Sequence, residues 1–218
     1  MNESPTSMNQ PLFLDDSASL IEFTRIYLAL FYTFVAGFYT FRIIYKNRST
    51  PKGVIFPGEQ FCASWWNHMV FKFFRAAIWF VCVLRVFIPE VDSYLGLLNV
   101  LNGWPGVMFG NILLTAGFVL TMFVHFHMAS LWRSGVDPRG PRELKTNGLY
   151  EFSRNPMYLG VVAAQIGFFL ALPSVFSLIC LVVGMIAVYR QTLVEEAHLE
   201  QHFPGEYKEY KQLVPRWL

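Results

Sequence analysis

The chain has 218 residues, of which 54% are hydrophobic and only 15% charged, well below the roughly 25% charged content of soluble domains. A formal net charge of +2 without a dense basic run argues against nucleic acid as a partner. Cys62, Cys82 and Cys180 are odd in number and lack a C-x-x-C spacing, which argues against a disulfide framework and leaves them as packing residues.

The N-terminal region carries Glu3, Asp15 and Asp16 ahead of any Lys or Arg, so it lacks the positive start of a cleavable signal peptide. The first transmembrane helix is expected to serve as its own targeting signal, preceded by a polar, disordered segment up to about residue 10. A hydrocarbon core about 30 Å thick takes roughly 20 apolar residues in a helix. Segments 20–45, 65–88, 104–132, 157–172 and 174–189 qualify, giving about five spans. The stretch 94–101 is too short to cross and is expected to be partly buried or re-entrant on the side away from the basic loops.

Loop charge orients the bundle, because short cytoplasmic loops retain Lys and Arg. Apart from Arg25, Lys72, Arg75 and Arg85, which lie within spans, the basic residues cluster in 42–52, 133–154 and 190–218. This predicts an N-terminus outside and a C-terminus inside. The sequon Asn47-Arg48-Ser49 then faces inward and is expected to be silent. Lys72 and Arg75 either snorkel to the inner surface or greet an anionic group in a substrate pocket. Gly106, Gly110 and Gly117 share one face of the third helix, a pattern of close helix packing. His125 and His127, two apart, point to different faces.

The chemistry concentrates at 145–160, where a polar loop runs into the fourth helix. Asn155 is a good N-cap and Pro156 suits the first helical position. A helix start of this kind binds a carboxylate or phosphate, and Arg154 adds a cation beside it. The fifth helix, starting near Ser174 after Pro173, continues beyond its apolar run. Pro173 lies about 27 Å of helix from Asn155 and about 33 Å from Glu195. In an antiparallel hairpin, Arg154 and Asn155 therefore come close in height to Glu195 and Glu196. On spacing alone these charges also read as an interfacial anchor and a solvated helix face. His198 and His202, four apart on nearly the same face as Glu195, form a conceivable metal arrangement. A plain surface helix explains them as well, and no metal is assigned.

Arg154-Asn155-Pro156-Met157-Tyr158, then Glu195-Glu196 and Leu199, then Phe203-Pro204-Gly205-Glu206-Tyr207, Tyr210 and Val214-Pro215-Arg216 follow one another in order. Together they resemble the C-terminal signature of the isoprenylcysteine carboxyl methyltransferase and phospholipid methyltransferase superfamily, over roughly residues 130–218. The first hundred residues match only in being transmembrane helices. The resemblance implies an all-α polytopic bundle with a cytosolic helical tail, forming a single membrane domain over 1–218. Residues 1–132 would supply N-terminal helices and 133–218 the cofactor-binding region. It further implies S-adenosylmethionine in a pocket between the last two membrane helices and the tail, with Arg154 and Glu196 as catalytic candidates. Lys145, Gly148, Tyr150, Asn155, Pro156, Tyr158, Glu195, Glu196 and Arg216 would bind the cofactor. Leu149 replaces the proline of the family's Gly-Pro-Tyr element, and Asn155 stands where the eukaryotic motif has His, so proton transfer by an imidazole does not carry over.

The cofactor's sulfonium, carboxylate and adenosine need anionic, cationic and apolar surroundings. Glu195 or Glu196, Arg154 with the helix start, and Tyr150 with Tyr158 can supply these in turn. No Gly-x-Gly-x-x-Gly follows a strand pattern, so no Rossmann domain is expected. The expected activity is methyl transfer to a lipidic or small-molecule carboxylate, amine or thiol at the cytosolic membrane surface. An NADPH-dependent reductase related to the sterol reductases, or a non-catalytic scaffold or sensor, are the alternatives.

Overall fold

The computed structural model describes residues 12–49, 55–128, 134–135, 137 and 140–218. The segment expected to be disordered, the last residues of the predicted third span, and the loop cations Lys52, Arg133 and Arg139 lie outside the described residues. The fold is all-helical: α1 (Leu12–Ser49), α2 (Ala63–Phe87), α3 (Trp104–His127), α4 (Pro156–Ala171), α5 (Val175–His202) and the short α6 (Pro204–Leu213). The sole sheet among the described residues is a parallel pairing of β1 (Ile55–Phe56) with β2 (Ser134–Gly135).

Among the described residues, three helical stretches are long and apolar enough to cross a membrane: Ser19–Tyr45, Trp104–His127 and Val175–His202. The apolar helices mark an integral membrane protein. The other two predicted spans fall short for different reasons. The 25-residue α2 is interrupted by Lys72, Arg75 and Arg85, and the 16-residue α4 reaches only about 24 Å. The 28-residue α5, about 42 Å long, exceeds the hydrocarbon core and carries its polar end beyond it.

α3 and α4 pack most closely, and small residues explain why. A Cβ at Gly110 or Gly117 would strike the α4 backbone at Leu170–Ala171 or Ala163–Ala164, and one at Gly167 would strike Leu114 of α3. Without those side chains the two backbones touch, as in small-residue membrane interfaces. Gly106 does not share this contact, because it sits in the first turn of α3 against the Leu101 carbonyl. The apolar core joins Leu28, Cys82, Leu114, Phe168 and Cys180 from all five long helices. Cys82 and Cys180 are thus buried free thiols. Cys62 instead caps α2, its Sγ accepting the Trp65 N–H at 3.4 Å.

A capping box starts α5: Ser174 Oγ accepts the Ser177 N–H at 3.1 Å, and Ser177 Oγ accepts the Ser174 N–H at 3.2 Å. Residues 94–101 form no crossing. They pair with the α4–α5 corner, Leu98 N–H to Pro173 O at 2.8 Å and Val175 N–H to Gly96 O at 2.9 Å. They sit at the end of the bundle opposite Asn155; the 3₁₀ turn Pro89–Tyr94 leads into them and the 3₁₀ turn Asn99–Leu101 closes them.

Candidate active site

Three pieces of chain meet beside the start of α4: residues 153–155, the polar end of α5, and the tail after α6. Antiparallel packing of α4 on α5 brings Arg154 and Asn155 to Glu196, as the matched depths predict. Glu196 is the hub. Arg216 reaches it through Nε at 3.2 Å and Nη2 at 2.9 Å, Arg154 Nη2 lies 3.4 Å away, and Asn155 Nδ2 donates at 3.1 Å. The Arg154 and Glu196 side chains are each only 9% exposed. One carboxylate faces two guanidiniums, so the cluster keeps a net positive charge, and the buried Nε of Arg154 has no hydrogen-bond partner.

The helix start differs from expectation. Asn155 occupies the N-cap position and Pro156 the first helical one, but the Asn155 side chain makes no capping bond. Its amide is drawn sideways to Glu196 and to the Arg216 carbonyl, the latter at 3.2 Å. A buried carboxylate competes better for an amide N–H than a helix N–H competes for the amide oxygen. The backbone N–H of Asn155 donates to Ser153 Oγ at 3.1 Å, and Ser153 Oγ in turn reaches the Arg216 carbonyl at 3.2 Å. The Arg154 N–H donates to Pro215 O at 3.0 Å. The tail is thus stitched to the loop before α4.

Glu195 lies one residue away in a separate environment. Its Oε1 accepts from the Tyr158 hydroxyl at 2.7 Å and from Gln191 Nε2 at 3.0 Å. Tyr158 therefore points at Glu195 rather than lying free. Tyr150 is 9% exposed; its hydroxyl donates to Met128 Sδ at 3.1 Å, and its carbonyl accepts from the Tyr210 hydroxyl at 2.6 Å. Gly148 has φ +67°, a left-handed conformation that favours glycine, and a Cβ there would crowd the His127 ring at 2.9 Å. Its N–H donates to the Glu151 carboxylate at 3.0 Å. Lys145 is partly buried in the same loop and is not part of this network.

Burial pushes the Tyr150 hydroxyl well above the usual tyrosine range, with Glu195 adding to the shift. Burial likewise raises Tyr210 to about 12, with Arg154 opposing and Glu196 reinforcing the shift. Both stay neutral hydrogen-bond donors at physiological pH. The hydrogen bond to Glu196 raises Arg216 further against a smaller opposing effect of burial.

Ser153, Gln191 and Tyr210 join the site without having been singled out as its residues by sequence. Gln191 was findable, being four positions before Glu195 on one helix face; Ser153 and the Arg216 carbonyl, 63 positions apart, carry no local signal. Among the remaining candidates, the His198 and His202 rings lie against each other at a tilt of 51°, with centroids 4.2 Å apart. No group of three potential metal ligands occurs among the described residues. His125 is fully buried and accepts from Arg42 Nη2 at 2.7 Å, whereas His127 is exposed.

Residues 105–206 match the phospholipid methyltransferase family. The match spans just under half the chain, from the first turn of α3 to the first turn of α6, and includes Arg154, Asn155, Glu195 and Glu196. Tyr210 and Arg216 lie beyond it. It agrees with the superfamily resemblance carried by the motifs and supports a membrane methyltransferase. Searches of curated proteins and of solved structures return no match.

Proposed function

We propose that the protein transfers a methyl group from S-adenosylmethionine to a lipidic or small-molecule carboxylate, amine or thiol at the cytosolic membrane surface. The observation that carries this reading is the net positive Arg154–Glu196–Arg216 cluster, with a buried guanidinium Nε unspent, in a chain whose family match is to methyltransferases. An amino acid carboxylate suits that surplus charge. S-adenosylmethionine supplies the methyl group, which passes from sulfonium sulfur to the acceptor in one in-line displacement that benefits from a dry, positioned site.

The chain's own residues divide the work. Glu196 is fully engaged, so we infer that it holds Arg154 and Arg216 in place rather than meeting the acceptor. Glu195 offers Oε2 while Tyr158 and Gln191 hold Oε1. With the cofactor bound, that oxygen would meet the sulfonium charge and take the proton that an amine or thiol acceptor releases; a carboxylate acceptor releases none. Gly148, Tyr150, Pro156 and Lys145 frame the same loop and would contribute apolar walls and a peripheral cation. In this reading all five long helices cross the membrane, with the N-terminus outside and the C-terminus inside.

Calorimetry on the purified full-length protein tests the proposal. S-adenosylmethionine or its demethylated product should bind, and Arg154→Ala should weaken binding by about 2 to 5 kcal/mol, the usual cost of removing one member of a desolvated charged pair. Binding of NADPH without S-adenosylmethionine would overturn the proposal in favour of a reductase.

A further inference from the structure

At the opposite end of the bundle, α1, α2 and the turn after α2 meet in a second charged cluster. Arg85 Nε and Nη2 both bind the Asp92 carboxylate, and Arg25 Nη2 joins it at 2.8 Å. Asp92 is thereby saturated by two guanidiniums, and the cluster holds one positive charge in excess. Arg85 is 3% exposed, and its Nη1 is buried without a hydrogen-bond partner, as is Nε of Arg25. Among the described side chains of these elements, the other acidic residues, Glu22 and Glu90, are exposed. A void of about 20 Å³ adjoins Arg85, lined on its polar side by Thr24, Asp92 and Asn102 and on its apolar side by Val107 and Leu172.

We propose that this void binds a small monovalent anion of halide size. Arg85 lines the void and keeps a buried guanidinium N–H unpartnered, a strong donor in search of an acceptor. Water satisfies the hydrogen bond and leaves the charge; a halide satisfies both. Size selects among anions, since the void only just exceeds the roughly 10 to 15 Å³ that one water-sized guest needs, which shuts out phosphate and lipid headgroups. Thr24 lies beside the bound ion on α1; its hydroxyl already accepts from Asn111 Nδ2 of α3 at 2.8 Å. The anion would therefore fasten α1 and α2 to α3 and the end of α4, far from the candidate active site and independently of methyl transfer.

The test is thermal unfolding of the full-length protein in a neutral detergent, with gluconate replaced by chloride at constant ionic strength. Chloride and bromide should raise the melting temperature along a one-site saturation curve, by about 5 °C near saturation for a chain of this size. Arg85→Gln should abolish the dependence, and Thr24→Val, a near-isosteric change, should shift it to higher halide concentration. If Arg85→Gln does not fold, Thr24→Val and the anomalous signal of crystals grown in bromide decide. Equal melting temperatures in chloride and gluconate, an unshifted curve for Thr24→Val, or density in the void without bromide signal, meaning water only, would each overturn the proposal.

Discussion

The Asn155 amide donates to Oε1 of Glu196 at 3.1 Å, tying the start of α4 to α5 across 41 positions of sequence. Its donor N–H is therefore the property that matters. Asn155→Asp, harmless for an N-cap, should be worse than Asn155→Ala, because it sets a second carboxylate against Glu196. We expect Ala to cost about 1 to 3 kcal/mol and Asp more, read as melting temperatures in one detergent. Equal stability of Asp and wild type would show that the side chain caps after all.

Arg216 holds Glu196 through two of its nitrogens, while its carbonyl accepts from Ser153 and Asn155. Arg216→Ala removes only the first set and should weaken cofactor binding strongly while lowering stability modestly. Deleting residues 215–218 removes both sets and should also loosen α6, seen as faster proteolysis of the tail. Arg216→Lys should fall between wild type and Ala, since a point charge cannot reproduce the fork.

Gly167 abuts Leu114 backbone atoms in the tightest helix contact. Gly167→Ala must push α3 from α4, costing about 1 to 3 kcal/mol by overpacking. Gly205→Ala, with open space around its site, serves as the control and should change the melting temperature little.

Burial raises the Asp92 carboxyl, but hydrogen bonds from Arg85 and Arg25 outweigh it and hold the group below its usual range. A depressed folded value means stability that is present above the unfolded value of about 3.9 and lost as pH falls through the folded one. Wild type should lose stability below about pH 4. Asp92→Asn should be less stable at neutral pH and flatter across that acid window. Parallel melting curves for the two proteins would exclude Asp92 as a contributor.

Single cysteines introduced near Asn47 and near Lys145, in a cysteine-free background, should label from the same side of sealed vesicles, since the proposed topology, drawn from the loop charges, has both inside. Labelling from opposite sides would change the number of crossings and the orientation with it.

Much of the architecture was legible in the sequence because it rests on local causes. Apolar runs, Pro156, Pro173 and Ser174 announce helices and their breaks, and the length of α5 beyond its apolar run places Glu195 and Glu196 level with Arg154. The motifs likewise pointed to this end of the hairpin. What only the tertiary structure decided is how those charges share partners. Glu196 gathers Arg154 and Asn155 from one stretch and Arg216 from another, while Glu195, its neighbour, turns to Tyr158 and Gln191. Asn155 abandons its cap because a buried carboxylate lies within reach, and Arg25 and Arg85 converge on Asp92 for the same reason. Helix formation depends on neighbours in sequence, whereas a buried charge takes whichever partner the packed helices bring near, and no local pattern records that choice.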